Sequence, residues 1–187
     1  GERLLVAGRA LAFYAVKLVW PADLSFNYPR WHLDIQDPAQ WSWVLGAAMC
    51  VLLFWWKRRT WGRGPFVGAA FFGVSLSPAL GFFNVYPMRY SFVADHFQYL
   101  ASIGIIALII GGVARGFDHR IKSDTHGKGR VLNWMKLVLG SLVLVVLMAL
   151  TWKQAQIYRN QETLWQDTQS KNPNSWLAYS NLGNFYA

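Results

Sequence analysis

The chain has 187 residues, of which 54% are hydrophobic and 17% aromatic, while only 14% are charged. Soluble domains carry about 25% charged residues, so this composition disfavours a water-soluble globule and points to a polytopic membrane protein. The net charge of +9 raises nucleic acid as a partner, but the placement of the charge along the chain makes that reading unnecessary.

Residues 3–19 (RLLVAGRALAFYAVKLV) form an apolar run that carries Arg9 and Lys17 at a spacing of eight. An interfacial amphipathic helix fits this better than a buried span. A short tilted crossing with snorkelling cations stays open. Residues 18–38 (LVWPADLSFNYPRWHLDIQDP) mix aromatic and charged side chains: Asp23, Tyr28, Arg30, His32, Asp34 and Asp37. Asp34 and Asp37 read as turn residues before Pro38.

Four segments then have the length and apolarity of bilayer crossings, about 20 residues each: 41–57, 65–84, 98–115 and 132–152. Tryptophans cluster at their ends (Trp41, Trp43, Trp55, Trp56, Trp134, Trp152), as at a headgroup interface. Pro78 predicts a kink in the second span, tolerable inside a bundle. Cys50 lies in the first span and reads as a small core residue, with no disulfide framework. Gly111-Gly112 reads as helix packing. No cleavable signal peptide opens the chain.

The connections after the first and third spans hold Lys57, Arg58, Arg59, Arg63, Arg115, Arg120, Lys122, Lys128, Arg130 and Lys136 against Asp118 and Asp124. Nearly all the excess positive charge is therefore concentrated there. By the positive-inside rule both connections are cytoplasmic. The segment before Trp41, the 86–97 loop and everything after Trp152 are then extracytoplasmic, facing a periplasm or a lumen, as for a multi-pass membrane protein.

The loop YPMRYSFVADHFQYLAS, residues 86–102, places Arg89, Asp95 and His96 within eight residues between apolar stretches. Aromatic faces suit sugars, and arginine forks suit phosphate oxygens. A carboxylate or histidine can act as a general base. Asp95 and His96 are the catalytic candidates, and Arg30, Arg89, Tyr99 and Tyr28 the substrate-binding ones. Each has a plainer reading: Asp95 as a helix N-cap, His96 and Tyr99 as interface anchors, Arg30 and Arg89 as unspecific lipid contacts. No metal-ligand spacing stands out, and a divalent metal requirement stays open.

After Trp152 the chain turns polar. Tyr179, Leu182, Gly183 and Tyr186 match the spacing of the first helix of a tetratricopeptide repeat. Pro173 and Trp165 fit the end of a preceding repeat. One repeat cannot bury its own face, so further repeats are expected beyond Ala187, and the start at Gly1 likewise suggests a piece of a longer protein. The expected fold is all-α: an interfacial helix and outer loop (1–40), a four-helix transmembrane bundle (41–152), and a linker helix leading into a repeat solenoid (153–187).

The SFNYPRW segment, the GFFNVYPMRYSFVADHFQYLAS segment and the span leading into repeats together resemble the transmembrane and TPR-containing O-mannosyltransferases (TMTC group) of the GT-C glycosyltransferase superfamily. The run from Val93 to Ser102 is similar to that family's V-A-[ED]-[RH]-x-x-Y-L-x-S segment. The resemblance implies a polyprenyl-phosphate sugar as donor, mannose-like, with transfer to protein Ser or Thr outside the cytoplasm and repeats that bind the acceptor. It also implies that the main catalytic acid lies in an earlier outer loop absent from this chain. Asp95, His96, Tyr99 and Arg30 then serve donor-phosphate binding or site architecture rather than proton abstraction. The rival readings are a membrane-anchored TPR scaffold for an envelope complex and, lower, a polysaccharide ligase or polymerase.

Overall fold

A computed structural model describes residues 1–83, 86–122 and 129–187, without the side chains at 87, 118–122, 129, 130 and 132. Arg120, Lys122, Lys128, Arg130, Asp118 and Asp124, which contribute to the charge asymmetry, lie outside the described side chains. Among the described residues helix is the sole regular structure, in seven α-helices: α1 (Glu2–Val19), α2 (Pro38–Lys57), α3 (Gly64–Leu76), α4 (Ser102–Lys122), α5 (Gly129–Ile157), α6 (Gln161–Lys171) and α7 (Trp176–Tyr186).

Local chemistry sets several of these ends. Asp37 caps α2 by accepting from the Ala39 N–H, and Pro38 opens the helix where its missing N–H costs nothing. Asn160 caps α6 through the Thr163 N–H, and Ser175 caps α7 through the Ala178 N–H. Helix α3 ends at Leu76 and tightens into a 3-10 turn, Ser77–Ala79, because Pro78 has no N–H to continue the ladder. The helix expected over 65–84 therefore stops short of that span, and Pro78 terminates the helix instead of kinking it. The third apolar helix starts at Ser102, after a 3-10 turn over Asp95–Gln98, and not at residue 98.

Two helices, Pro38–Lys57 and Asn133–Ile157, are long and apolar enough to cross a membrane, while the apolar stretches Gly64–Ala79 and Ser102–Phe117 are shorter. None of the residues in either long helix's apolar window is buried within the chain. At 1.5 Å per residue the second runs about 37 Å, more than the roughly 30 Å of a hydrocarbon core. Leu142, Leu144, Val145 and Met148 on it are all exposed. Soluble monomers seldom expose continuous apolar surface on this scale. Cys50 shares this surface: it is exposed on α2, so it is not a core residue, because α2 buries none of its side chains.

The interior gathers around α1. Leu5, Val6, Ala7, Ala10 and Tyr14 are buried on it. Ala7, Ala10 and Tyr14 share a core cluster with Tyr28, Phe72, Leu76, Leu80, Val93 and Ala101. Each fully buried Leu or Val contributes about 1.5–3 kcal/mol over an exposed one. So α1 is an integrated helix whose apolar face closes on the end of α3 and the 93–101 segment. Its cations fold over aromatic rings: Arg9 over Trp31 at 4.5 Å, Lys17 over Phe13 and Tyr28 at 5.6 Å each.

Two close helix contacts depend on glycine. A Cβ at Gly8 would lie 2.7 Å from the Val44 backbone nitrogen. One at Gly104 would lie 2.5 Å from the Gly68 carbonyl. These positions let α1 approach α2 and α3 approach α4. Gly183 of the tail has nothing within 4 Å of its Cβ position. The α6–α7 pair instead closes on Trp165, Ala178 and Leu182.

Candidate functional site

The sequence candidates divide into two groups. The first surrounds an open cleft of about 500 Å³ whose lining includes Arg3, Arg30 and Arg89, with Glu2, Tyr86 and Phe92. Three guanidinium groups face one carboxylate, so the cleft is suited to an anion. Arg30 packs over the Phe92 ring at 4.8 Å, which orients its fork. Arg3 is steadied by donating to the Phe82 carbonyl. Arg30 and Arg89 are thus brought together, from segments almost 60 residues apart in sequence. Arg3 was missed: at the start of an amphipathic run it reads as a terminal interfacial cation.

An aromatic ledge leaves this cleft. The Tyr86 hydroxyl lies 3.1 Å from the Tyr90 hydroxyl. The Tyr90 ring is stacked with Trp176, the centroids 6.3 Å apart and the planes 7° from parallel. Trp176 begins α7 and is exposed.

The second group centres on Asp95. The Tyr28 hydroxyl donates to Asp95 Oδ1 at 2.8 Å, and the Ala94 N–H donates to the Tyr14 hydroxyl at 3.0 Å. These bonds pin the loop to α1 and to the 20–37 segment. Asp95 caps no α-helix through its side chain: it opens the 3-10 turn, and its oxygen takes the phenol. Burial raises the Asp95 carboxyl above its ordinary pKa, against the lowering influence of the Tyr28 hydroxyl and of Lys17, His96 and Lys171. Burial, and then the charge of Asp95, push the Tyr28 phenol far up. Tyr158 is raised by the same two causes in the same order. Tyr28 therefore stays a proton donor at all ordinary pH. His96 and Tyr99 are exposed, His96 edge-on to its neighbour Phe97, and neither hydrogen-bonds Asp95.

Other polar residues of the 20–37 segment do structural work. Asp34 accepts from the Gln36 N–H and Asp37 from the Ala39 N–H. Asp23 adopts φ +52° in a left-handed turn, which Asp tolerates. Lys17 fastens that turn through the Ala22 carbonyl. His32 is exposed.

Next to Tyr28, the 20–37 segment grips the tail. Asn27 Nδ2 donates to Ser175 Oγ at 2.9 Å, and Asn172 Nδ2 donates to the Asn27 carbonyl at 3.3 Å. Lys171 Nζ donates to the Leu24 carbonyl at 2.7 Å and pairs with Asp167 at 2.8 Å. Phe26 meets Trp165 edge to face at 5.2 Å. Asn27, Asn172 and Ser175 are buried, which is tolerable because each is hydrogen-bonded. The sequence signals Asn172-Pro173-Asn174 as a turn, but nothing local says that the turn is a docking surface.

No group of three His, Cys, Asp or Glu side chains gathers as a metal site among the described residues. No known protein family matches the chain, and comparison with curated proteins and with solved structures returns no match. The functional reading rests on the residues and their arrangement.

Proposed function

We propose that the chain is the membrane part of a multi-pass GT-C-type glycosyltransferase, with the Arg3–Arg30–Arg89 cleft outside the cytoplasm and binding the phosphate of a polyprenyl-phosphate sugar. The observation that carries this reading is the convergence of three arginines on an open cleft in a chain whose long helices are dressed for lipid. In the reaction, a base removes the proton of an acceptor Ser or Thr hydroxyl, whose oxygen bonds to the anomeric carbon. The bond from that carbon to the phosphate oxygen breaks, and the phosphate leaves with the electron pair. The arginines offset the charge that develops on it. Asp95 is a positioning residue in this scheme, since its oxygen is engaged by Tyr28 and its loop carries Arg89. The tail is the start of a tetratricopeptide array that holds the acceptor protein.

A second reading, a membrane-anchored repeat scaffold, is favoured by one observation: the tail is fastened to the outer segment while Trp176, Tyr179 and Tyr186 stay exposed. Donor binding separates the two. Labelled polyprenyl-phosphate mannose should bind the detergent-solubilised intact protein, and the Arg30→Gln/Arg89→Gln variant should bind it about 10- to 100-fold more weakly, the loss expected for hydrogen bonds to a charged group. Unchanged binding and transfer in that variant would refute the transferase reading.

A further inference from the structure

At the opposite end of α3 from the arginine cleft, the turn joining α2 to α3 and the body of α4 enclose a second open cleft, about 670 Å³. Arg59 and Arg115 line it, with Thr60 and Trp61, and no carboxylate is among its lining residues. Arg115 is held in place, since its Nη1 donates to the Trp61 carbonyl at 2.9 Å. Its guanidinium lies against Gly62, which sits at φ +81° and leaves room there. Four N–H donors of that fork are not engaged by this bond. Gly112 lines the cleft as well, and a Cβ there would meet nothing within 4 Å. A side chain placed at Gly112 therefore has room to extend into the cleft.

The adjacent turn residues 57–64 (KRRTWGRG) contain four cations and no acid. Two of them are committed elsewhere: Arg58 donates to the Trp55 carbonyl and covers its ring, and Lys57 lies over Trp56. Arg59 and Arg115 are the cations that face the cleft. Exposed Trp55, Trp56 and Trp61 mark the level at which indoles meet headgroups.

We infer that this cleft is a binding site for the phosphodiester headgroup of an anionic phospholipid, held between Arg59 and Arg115. The shared chemistry is a phosphate monoanion, which a free phosphate also offers. A lipid is the source that fits a cleft at the end of helices whose apolar faces lie uncovered, where its acyl chains run down α3 and α4. This rests on the membrane reading above and is independent of the transferase reading.

Native mass spectrometry of the full chain in non-ionic detergent tests it, with dioleoyl phosphatidylglycerol as probe, dioleoyl phosphatidylcholine as neutral control, and inorganic phosphate as competitor. One phosphatidylglycerol per chain should be retained, and Arg59→Gln/Arg115→Gln should lower that retention about tenfold or more. Gly112→Leu puts a side chain into the cleft beside Arg115 without changing the charge, in a helix that favours Leu over Gly, and should lower retention as well. Arg63→Gln, outside the lining, should leave retention unchanged. If Gly112→Leu retains lipid like the unaltered protein, or Arg63→Gln loses as much as the double variant, the charge acts diffusely and the site is refuted. Displacement by equimolar inorganic phosphate refutes the lipid as ligand. Should Arg115→Gln fail to fold for want of its Trp61 bond, Gly112→Leu decides. A chain that stays dispersed and folded without detergent overturns the membrane reading itself, an outcome distinct from a detergent-bound chain that holds no lipid.

Discussion

Replacing Tyr28 by Phe removes one hydroxyl and leaves the ring in the core. That hydroxyl is the donor 2.8 Å from Asp95 Oδ1, and Tyr28 is 7% exposed. A hydrogen bond to a charged group contributes about 1.5–3 kcal/mol net. Asp95 is half-buried, so water can take part of the place of the phenol, and a loss of about 1–2 kcal/mol is expected. For a chain of this size that is a fall in Tm of about 2–8 °C. The pH dependence has a definite sign. Burial raises the Asp95 carboxyl in the folded chain, so the folded state holds its proton to higher pH than the unfolded one. The stability contributed by Asp95 is full below the unfolded carboxylate value of about 3.9 and is lost as pH rises through the raised folded value. Without the phenol the carboxyl rises further and the loss extends to higher pH. Asp95→Asn keeps an acceptor for the phenol and removes the ionisation, so its stability should vary less across that window. Thermal unfolding in detergent micelles, followed by circular dichroism from pH 4 to 8, gives the full cycle for Tyr28→Phe, Asp95→Asn and the double variant. A coupling below about 0.5 kcal/mol, within the scatter of independent sites, would show that the bond does not hold this loop.

Asn27→Ala should free the tail with little effect on the core. Faster hydrogen exchange across α6 and α7 is expected, with a cost of about 1–2 kcal/mol at that junction; unchanged exchange there would contradict the docking. Gly104→Leu forces a side chain against the Gly68 carbonyl and should destabilise the α3–α4 contact by about 1–3 kcal/mol, read as a lower Tm and poorer yield of folded protein in detergent, whereas Gly183→Ala, facing open space, should be neutral or stabilising. Gln98 Oε1 is buried without a hydrogen-bond partner among the described residues. Gln98→Met, similar in shape, should therefore leave Tm unchanged or raise it by the equivalent of about 1 kcal/mol, and a clear fall would mean that Oε1 has a bound partner.

Much of the helical layout is legible in the sequence because local chemistry writes it. The apolar runs predict α2 and α5; Asp37, which reads as a turn residue before Pro38, also caps α2. The 65–84 run misleads because its apolar composition continues past Pro78 while its backbone hydrogen bonding cannot. The candidate site is legible residue by residue but not in its grouping. Arg30 and Arg89 show as phosphate-type residues, but periodicity does not reveal that they share a cleft with Arg3. Asp95 and His96 are neighbours in sequence whose side chains part: one turns inward to Tyr28, the other stays exposed. Asn27 carries no signal because its partners lie on the far side of the chain.

That separation has a consequence for biogenesis. Asn27 and Ser175 are 148 positions apart, and at roughly 5–20 residues per second the ribosome needs on the order of seven to thirty seconds to deliver the second after the first. During that interval the Asn27 amide lacks this partner, because α7 has not yet been made. When Ser175 arrives, the hydroxyl that starts α7 is also the one that receives Asn27. Initiation of α7 and its attachment to the body therefore share one atom, and a later-made segment acts as the latch on an earlier-made one.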